Sequence, residues 1–483
     1  MTAHRGQNWV VMTEGIGGSR RLVLRGGTVV DATGERRVDV AIAGGRVVEV
    51  APDIASPGPQ RKAGAGGASG DDATVLDCSG CIVSPGLVDL HTHLREPGDE
   101  DAETVASGAR AAALGGYTAV VAMPNTNPPL DTAEAVSRVL ELGRDAACDV
   151  AVAGAITQGR AGERLAPMAE MAALGVRIFT DDGNGVQDAG VMRRALEYAR
   201  DLGVVVAQHC EEAALARGGH MHEGSWSSRL GIPGVPAEAE ELMVARDLAL
   251  VRLTGARMHF LHLSTAGSVA LVRAAREEGL PVTAEATPHH LVLTDARVVS
   301  FDPVFKVNPP LRTAADVAAV RRAVADGTID AIATDHAPHA PQRKDVPFDE
   351  AAPGMTGLET ALALAWTELV TPETTPETTP EKTREKTQAG RLPAAVPAAT
   401  ILGALSWRPA QIAGLAPEHG GPIAEGAAAN LCVFDPTEEW TVDAAVTASR
   451  SRNNPYVGMR LRGRVRHTVR RGEPVVIGGE LLR

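Results

Sequence analysis

Between Lys62 and Lys306 the chain has no lysine at all, although arginine is plentiful. Basic charge is not in excess either: 47 lysines and arginines stand against 60 acidic residues, a formal net charge of −13. That balance argues against a nucleic-acid surface, which needs a basic patch. An anionic small substrate stays open, because one placed arginine outweighs a diffuse negative field at short range. Cysteine is sparse too, and five in 483 residues cannot staple a disulfide framework. Cys78 and Cys81 form a lone CxxC without the second pair or nearby histidine of a zinc ribbon, so they read as packing residues; Cys148, Cys210 and Cys432 are isolated. No stretch approaches the ~20 apolar residues of a membrane span. The N-terminal region lacks the apolar core of a signal peptide, its best run being Trp9-Val10-Val11-Met12, and the cytoplasm is the expected compartment.

What is present falls into zones. Residues 1–20 read as a flexible extension. From Arg21 short β-branched runs alternate with glycine turns (Leu22-Val23-Leu24, Gly27 to Val30, Val38 to Ile42, Arg46 to Val50), the pattern of strands joined by hairpins. Residues 57–73 are rich in glycine, alanine and proline and read as a loop. Eight strand-length apolar runs follow: Ile82 to Leu90, Tyr117 to Met123, Val150 to Ile156, Val176 to Thr180, Val204 to Gln208, Met258 to Leu263, Val282 to Ala286 and Ile329 to Thr334. Stretches of helical periodicity lie between them, among them 102–114, 133–142, 237–253 and 266–277.

Eight β–α alternations predict an α/β fold, a (β/α)8 TIM barrel, with an open doubly wound sheet as the competing arrangement. A proline-rich period-four repeat at 371–387 reads as a disordered insert, with bounds of about 371–397. Strand pattern returns at Ala429 to Phe434 and Val465 to Val476. The expected organisation is therefore a barrel over 81–415 and a small β-sandwich domain formed from both chain ends, 21–80 and 416–483.

Barrel enzymes hold their chemistry at the C-terminal ends of the strands. Here the first strand ends in His91-Thr92-His93-Leu94-Arg95, and alternation puts His91 and His93 on one face. The fourth strand ends in Asp181-Asp182, the fifth in His209, the sixth in His262 and the eighth in Asp335-His336. A single HxH is weak evidence, because paired histidines occur by chance. Four strands ending in histidine and two in aspartate is not. Four imidazoles and two carboxylates suit zinc and exceed the needs of one four-coordinate ion. That surplus favours two Zn2+ ions about 3.5–4 Å apart, bridged by a carboxylate and a hydroxide.

Seven segments, in order, carry a resemblance: PGLVDLHTHLREPG at 85–98, AMPNTNP at 122–128, FTDDG at 179–183, QHCE at 208–211, LHLST at 261–265, KVNPPLR at 306–312 and ATDHAPH at 333–339. With these the chain resembles the amidohydrolase superfamily and, within it, dihydroorotases of the long bacterial type, from about Leu22 to Val476. The resemblance implies that His91, His93 and Asp335 bind one zinc ion and His209 and His262 the other. Asp182 would bridge the two, with Asp181 the competing choice. It implies substrate contacts at Arg95, Asn125, Asn308 and His339 and at the Pro353-Gly354 backbone. Relatives such as dihydropyrimidinases, allantoinases and some dihydroorotases bridge their metals with a carboxylated lysine at the tip of strand four. The lysine gap closes that route here.

The implied activity is reversible interconversion of N-carbamoyl-L-aspartate and dihydroorotate in pyrimidine biosynthesis. Asp335 would shuttle the proton between attacking water and leaving ring nitrogen. Arg95 would offer a planar fork to the substrate carboxylate, a group that a neutral ring lacks. A hydantoinase-like or allantoinase-like amidase is the alternative activity. A non-catalytic partner subunit of aspartate transcarbamoylase is the alternative of another class, and such a chain is expected to have lost metal ligands. The resemblance also leaves room for a homodimer and for an active enzyme that associates with that transcarbamoylase.

Bland expectations attach to the remaining polar residues. His289 and His290 read as structural, and alternation turns His336 away from Asp335. Glu211 and Glu285 could equally orient ligands or bind nothing. His220 and His222, in a glycine-rich loop, are expected at the surface. Loop position alone suggests that Trp226 helps to close the site.

Overall fold

The computed structural model describes residues 21–54, 73–370 and 395–482. The extension at 1–20, all but the last residue of the loop at 57–73, and the repeat at 371–387 lie outside them.

The N-terminal run forms β1 (Leu22–Arg25), β2 (Thr28–Asp31), β3 (Gly34–Arg37), β4 (Asp39–Ala43), β5 (Arg46–Ala51), β6 (Thr74–Asp77) and β7 (Ile82–Pro85). Strands β5-β4-β1-β6 make one sheet. The other takes β7, β2 and β3 together with β18 (Leu431–Thr441), β19 (Arg460–Arg470), β20 (Glu473–Ile477) and β21 (Glu480–Leu481) from the far end of the chain. Val29, Val40, Ile42, Val83, Leu431, Val433 and Val469 are buried together in this unit, with Cys78 and Cys81 among them. The C-terminal strands extend the second sheet through the pairing of β18 with β7, and burying the apolar faces of the two sheets against each other joins the chain ends.

The run from Ile82 to Leu90, expected as one barrel strand, is two. β7 pairs with β18 and β2, and β8 (Leu87–Thr92) enters the barrel. The break falls at Gly86, where a Cβ would sit 2.2 Å from Thr118 Oγ1, so only glycine lets the chain pass between the layers.

The barrel strands are β8, β9 (Tyr117–Ala122), β10 (Asp149–Val152), β11 (Ile178–Phe179), β12 (Val205–Gln208), β15 (Met258–Phe260), β16 (Val282–Ala286) and β17 (Ala331–Ile332). They pair in parallel in two runs, β10-β9-β8 and β11-β12-β15-β16-β17. Parallel bridges Gly154↔Phe179 and Thr92↔His336 close the gaps between the runs. Inside, Leu90, Val121, Ala153, Ile178, Ala207, Leu261 and Ala331 pack as one cluster, with Ile412 and Ala413 against it. The interior is thus a packed core, and chemistry is confined to the strand ends. Two further strands, β13 (Met221–His222) and β14 (Gly234–Val235), form a small ladder in the β12–β15 connection. Helices between the barrel strands start on threonines: Thr104, Thr132, Thr265 and Thr313 each accept a hydrogen bond from the backbone N–H three residues on.

Candidate metal centre

At the C-terminal ends of the barrel strands six side chains from five strands converge. His91 Nε2 lies 3.4 Å from Asp182 Oδ1 and 3.5 Å from Asp335 Oδ1. His93 Nε2 lies 3.0 Å from Asp335 Oδ1 and 3.6 Å from Asp182 Oδ2. His209 Nδ1 and His262 Nε2 face Asp182 Oδ1 at 3.6 and 3.7 Å, and stand 2.9 Å from each other. All six residues are buried. One carboxylate oxygen of Asp182 thus serves the His209–His262 side and the other the His93 side. Its neighbour Asp181, also buried, is turned away from the cluster, accepting from the Ile156 and Thr157 N–H groups and from the Thr157 hydroxyl.

The donor set fits bound metal on its own geometry. His91–Asp182–His262 and His91–His93–Asp335 each bring three ligand atoms within coordinating reach of one another. His91 Nε2 is buried with no hydrogen-bond partner while Nδ1 donates to Glu285, so its lone pair points at the cluster unsatisfied. The electrostatics agree. Burial resists charge on Asp182 and Asp335, yet the surrounding histidines, His91 first, hold both carboxyls well below the usual range. Burial likewise opposes a proton on His91, but Asp182 and Asp335 raise its affinity for one well above normal. A cation placed among these groups would replace that proton.

The tips are reached through uncommon backbone. Arg95, Arg160, His262 and Asp335 have φ of 61°, 53°, 32° and 45°, values that non-glycine residues adopt only under constraint from their surroundings. Behind them lies an orienting layer. Glu285 on β16 accepts from His91 Nδ1 at 2.8 Å and from His259 Nε2 at 3.0 Å, and burial fails to neutralise it because those two imidazoles bring its pKa to about 2. Thr283 Oγ1 donates to His259 Nδ1 at 2.8 Å. Such a carboxylate fixes the tautomer of a ligand histidine, leaving Nε2 free to coordinate. Glu285→Gln is therefore expected to weaken metal binding by about 10- to 100-fold, measured by competition with a chelator. Unchanged affinity would remove Glu285 from that role.

Of the residues matched to substrate contacts, Arg95, Asn125, Asn308 and His339 are half-buried and form a rim around the buried cluster, while Pro353 is exposed and Gly354 buried. Arg95 Nε donates to the Pro338 carbonyl at 3.1 Å, and its two Nη groups make no hydrogen bond among the described residues. Asn125 Oδ1 accepts from His93 Nδ1 at 2.8 Å, and its Nδ2 lies 3.3 Å from Asp182 Oδ2, so this amide also orients two cluster residues. The Asn308 amide lies 3.5 Å from His209 Nε2. His339 Nε2 donates to the Pro353 carbonyl at 2.8 Å; burial and the Arg95 charge push its pKa down to about 3, which keeps it neutral. Gly354 has φ 143° and its Cβ position would lie 2.8 Å from both Ala337 Cβ and His339 Nε2, so no side chain fits there.

The remaining polar residues divide. The His336 ring points away from the cluster, as expected, donating to Glu103 at 3.3 Å and accepting from Gly357 N–H at 3.2 Å. His290 is held by Thr287 and the Pro309 carbonyl. His222 is not at the surface: it is buried, with Nδ1 accepting from the fully buried Arg312 at 3.2 Å. Its loop carries the β13–β14 ladder, which packs it inward. Two contributors have almost no signature in the sequence. His259 offers only an HxxH spacing with His262. Asn453, which donates to the Ala337 and Gly354 carbonyls at 2.9 and 3.1 Å, comes from the C-terminal segment, with no local signal.

A family profile described as dihydro-orotase-like matches residues 80–268. The chain is 49% identical to the dihydroorotase of Streptomyces coelicolor over 86% of its length and 92% of the relative. It is 46% identical to that of Pelotomaculum thermopropionicum over 92% and 95%, and 45% identical to that of Mycobacterium tuberculosis over 92% and 96%. Among solved structures it shares its fold with the L-hydantoinase of Arthrobacter aurescens at a TM-score of 0.78, 23% identity and 96% and 97% coverage. The dihydropyrimidinase of Brevibacillus agri gives 0.76, 24% identity and 96% of each chain.

Proposed function

The chain belongs to the dihydroorotase family, and from that premise we propose that it hydrolyses dihydroorotate to N-carbamoyl-L-aspartate, and runs the reverse ring closure in pyrimidine biosynthesis, at a site holding two zinc ions bridged by Asp182. The observation that carries the two-ion reading is the Asp182 carboxylate, one oxygen toward His209 and His262 and the other toward His93. Two bound ions would supply water activation at neutral pH and a Lewis-acid contact for the amide carbonyl.

The protein's own groups do the rest. Asp335, 3.0 Å from His93, accepts a proton from the attacking water and passes it to the ring nitrogen as the ring C–N bond breaks. Water thus adds across one amide bond and no other reactant is needed. In ring closure the same carboxylate takes the proton from the ureido nitrogen. The free Nη fork of Arg95 binds the substrate's carboxylate, with Asn308, His339 and the Pro353-Gly354 backbone directing the ring. The absence of lysine between Lys62 and Lys306 separates this site from amidases that bridge their metals with a carboxylated lysine.

Zinc-replete protein is expected to open dihydroorotate and to leave dihydrouracil and allantoin essentially untouched, followed by loss of ring absorbance or by carbamoyl product. Turnover of either neutral ring, with dihydroorotate inert, would overturn the assignment.

A further inference from the structure

The described residues contain two lysines, Lys306 and Lys344, and both are committed to tying the same two loops together. One loop, 303–308, ends in Asn308. The other, 341–354, ends in Pro353-Gly354. Lys344 Nζ donates to three backbone carbonyls, those of Pro303 at 2.8 Å, Lys306 at 3.2 Å and Ala352 at 2.8 Å. Lys306 Nζ donates in the opposite direction, to the Asp349 carbonyl at 2.8 Å, over the Phe348 ring. A backbone bond from Gly354 N–H to the Lys306 carbonyl at 2.9 Å completes the tie, so that carbonyl accepts twice.

Convergence of three carbonyls on one point suits a lysine at position 344, although the described residues elsewhere use mostly arginine. An ammonium is a compact centre with three donors, whereas a guanidinium spreads its donors over a rigid plane and needs more room. None of these bonds reaches the metal cluster. They set the separation between Asn308 and Pro353-Gly354, two contacts that close on the ring from opposite loops.

We propose that Lys344, reciprocated by Lys306, is a positioning residue that sets substrate affinity by fixing the gap between the Asn308 and Pro353-Gly354 loops. The inference rests on the substrate contacts proposed above. A misplacement of the order of 1 Å suffices to weaken such contacts, while the metal cluster and Asp335 sit on the strands and are untouched.

The test is steady-state kinetics of the full, zinc-loaded chain as Lys344→Met, Lys344→Arg and Lys306→Met, with metal content and thermal midpoint measured alongside. For Lys344→Met, KM for dihydroorotate should rise at least tenfold with kcat within about threefold of wild type and the zinc content unchanged. Lys344→Arg should not restore KM, and Lys306→Met should show a smaller rise. A purely structural lysine would lower the thermal midpoint and the active fraction, hence kcat, and leave KM in place. That outcome, or a wild-type KM in Lys344→Met, overturns the proposal. Should Lys344→Met not accumulate folded, Lys344→Gln, which keeps two donors, carries the same comparison. If the wild type opens another ring and not dihydroorotate, the functional assignment fails. The lysine tie then stands or falls on the KM shift for that ring.

Discussion

Asp182→Ala is expected to lose at least one zinc ion per chain and to lose turnover by a factor of about a thousand or more, beyond the range seen for deleting a single transition-state donor. The reason is geometric. Among the described residues Asp182 is the one carboxylate facing both halves of the cluster, within 3.4–3.7 Å of His91, His93, His209 and His262. Its removal also leaves those imidazoles buried against one another without the anion that offsets them, so a surviving ion would sit in a loosened site. Metal analysis of the purified variant together with its turnover checks this. Asp181→Ala is the control: its carboxylate is spent on Ile156 and Thr157, so its loss should cost stability and retain both ions. Full zinc occupancy in Asp182→Ala would dismantle the bridging assignment.

Arg95→Leu should raise KM for dihydroorotate and reduce kcat/KM by between about thirtyfold and a few thousandfold, the equivalent of about 2–5 kcal/mol for truncating one partner of a buried, hydrogen-bonded charge pair. Zinc content should not change, because Arg95 lies on the rim and contacts the Pro338 carbonyl instead of a cluster ligand. Any residual activity of the wild type toward dihydrouracil should be untouched by the substitution, since that ring offers no carboxylate to the guanidinium. An unchanged KM for dihydroorotate would assign the carboxylate to another group.

Much of this site is legible in the amino-acid sequence. Strand-length runs ending in histidine or aspartate locate the tips, and the seven motifs point to the family. His336 does face away from Asp335, but strand alternation is not what holds it there, since β17 ends at Ile332 and Asp335 has φ 45°; Glu103 and the Gly357 N–H fix the ring. Alternation fails at strand four, where β11 is only Ile178–Phe179 and the chain leaves the extended form before the two aspartates. Periodicity cannot choose between Asp181 and Asp182 there. The hydrogen bonds that Ile156 and Thr157 make with Asp181 come from the neighbouring connection, 25 and 24 residues away.

The role of Glu285 stays open in the sequence, and His222 is misplaced at the surface, for the same reason. Each depends on partners far along the chain: His91 lies 194 residues from Glu285, and Arg312 lies 90 from His222. Order and type of element, the inventory of ligands and the lack of a bridging lysine follow from local pattern and composition, because they depend on neighbours a few residues apart. The direction of each carboxylate, the tautomers set by Glu285, the reach of Asn453 from the C-terminal segment and the lysine tie between two loops depend on barrel closure. Closure brings groups as far apart in the chain as His93 and Asp335 to 3.0 Å, and no short-range periodicity carries that distance.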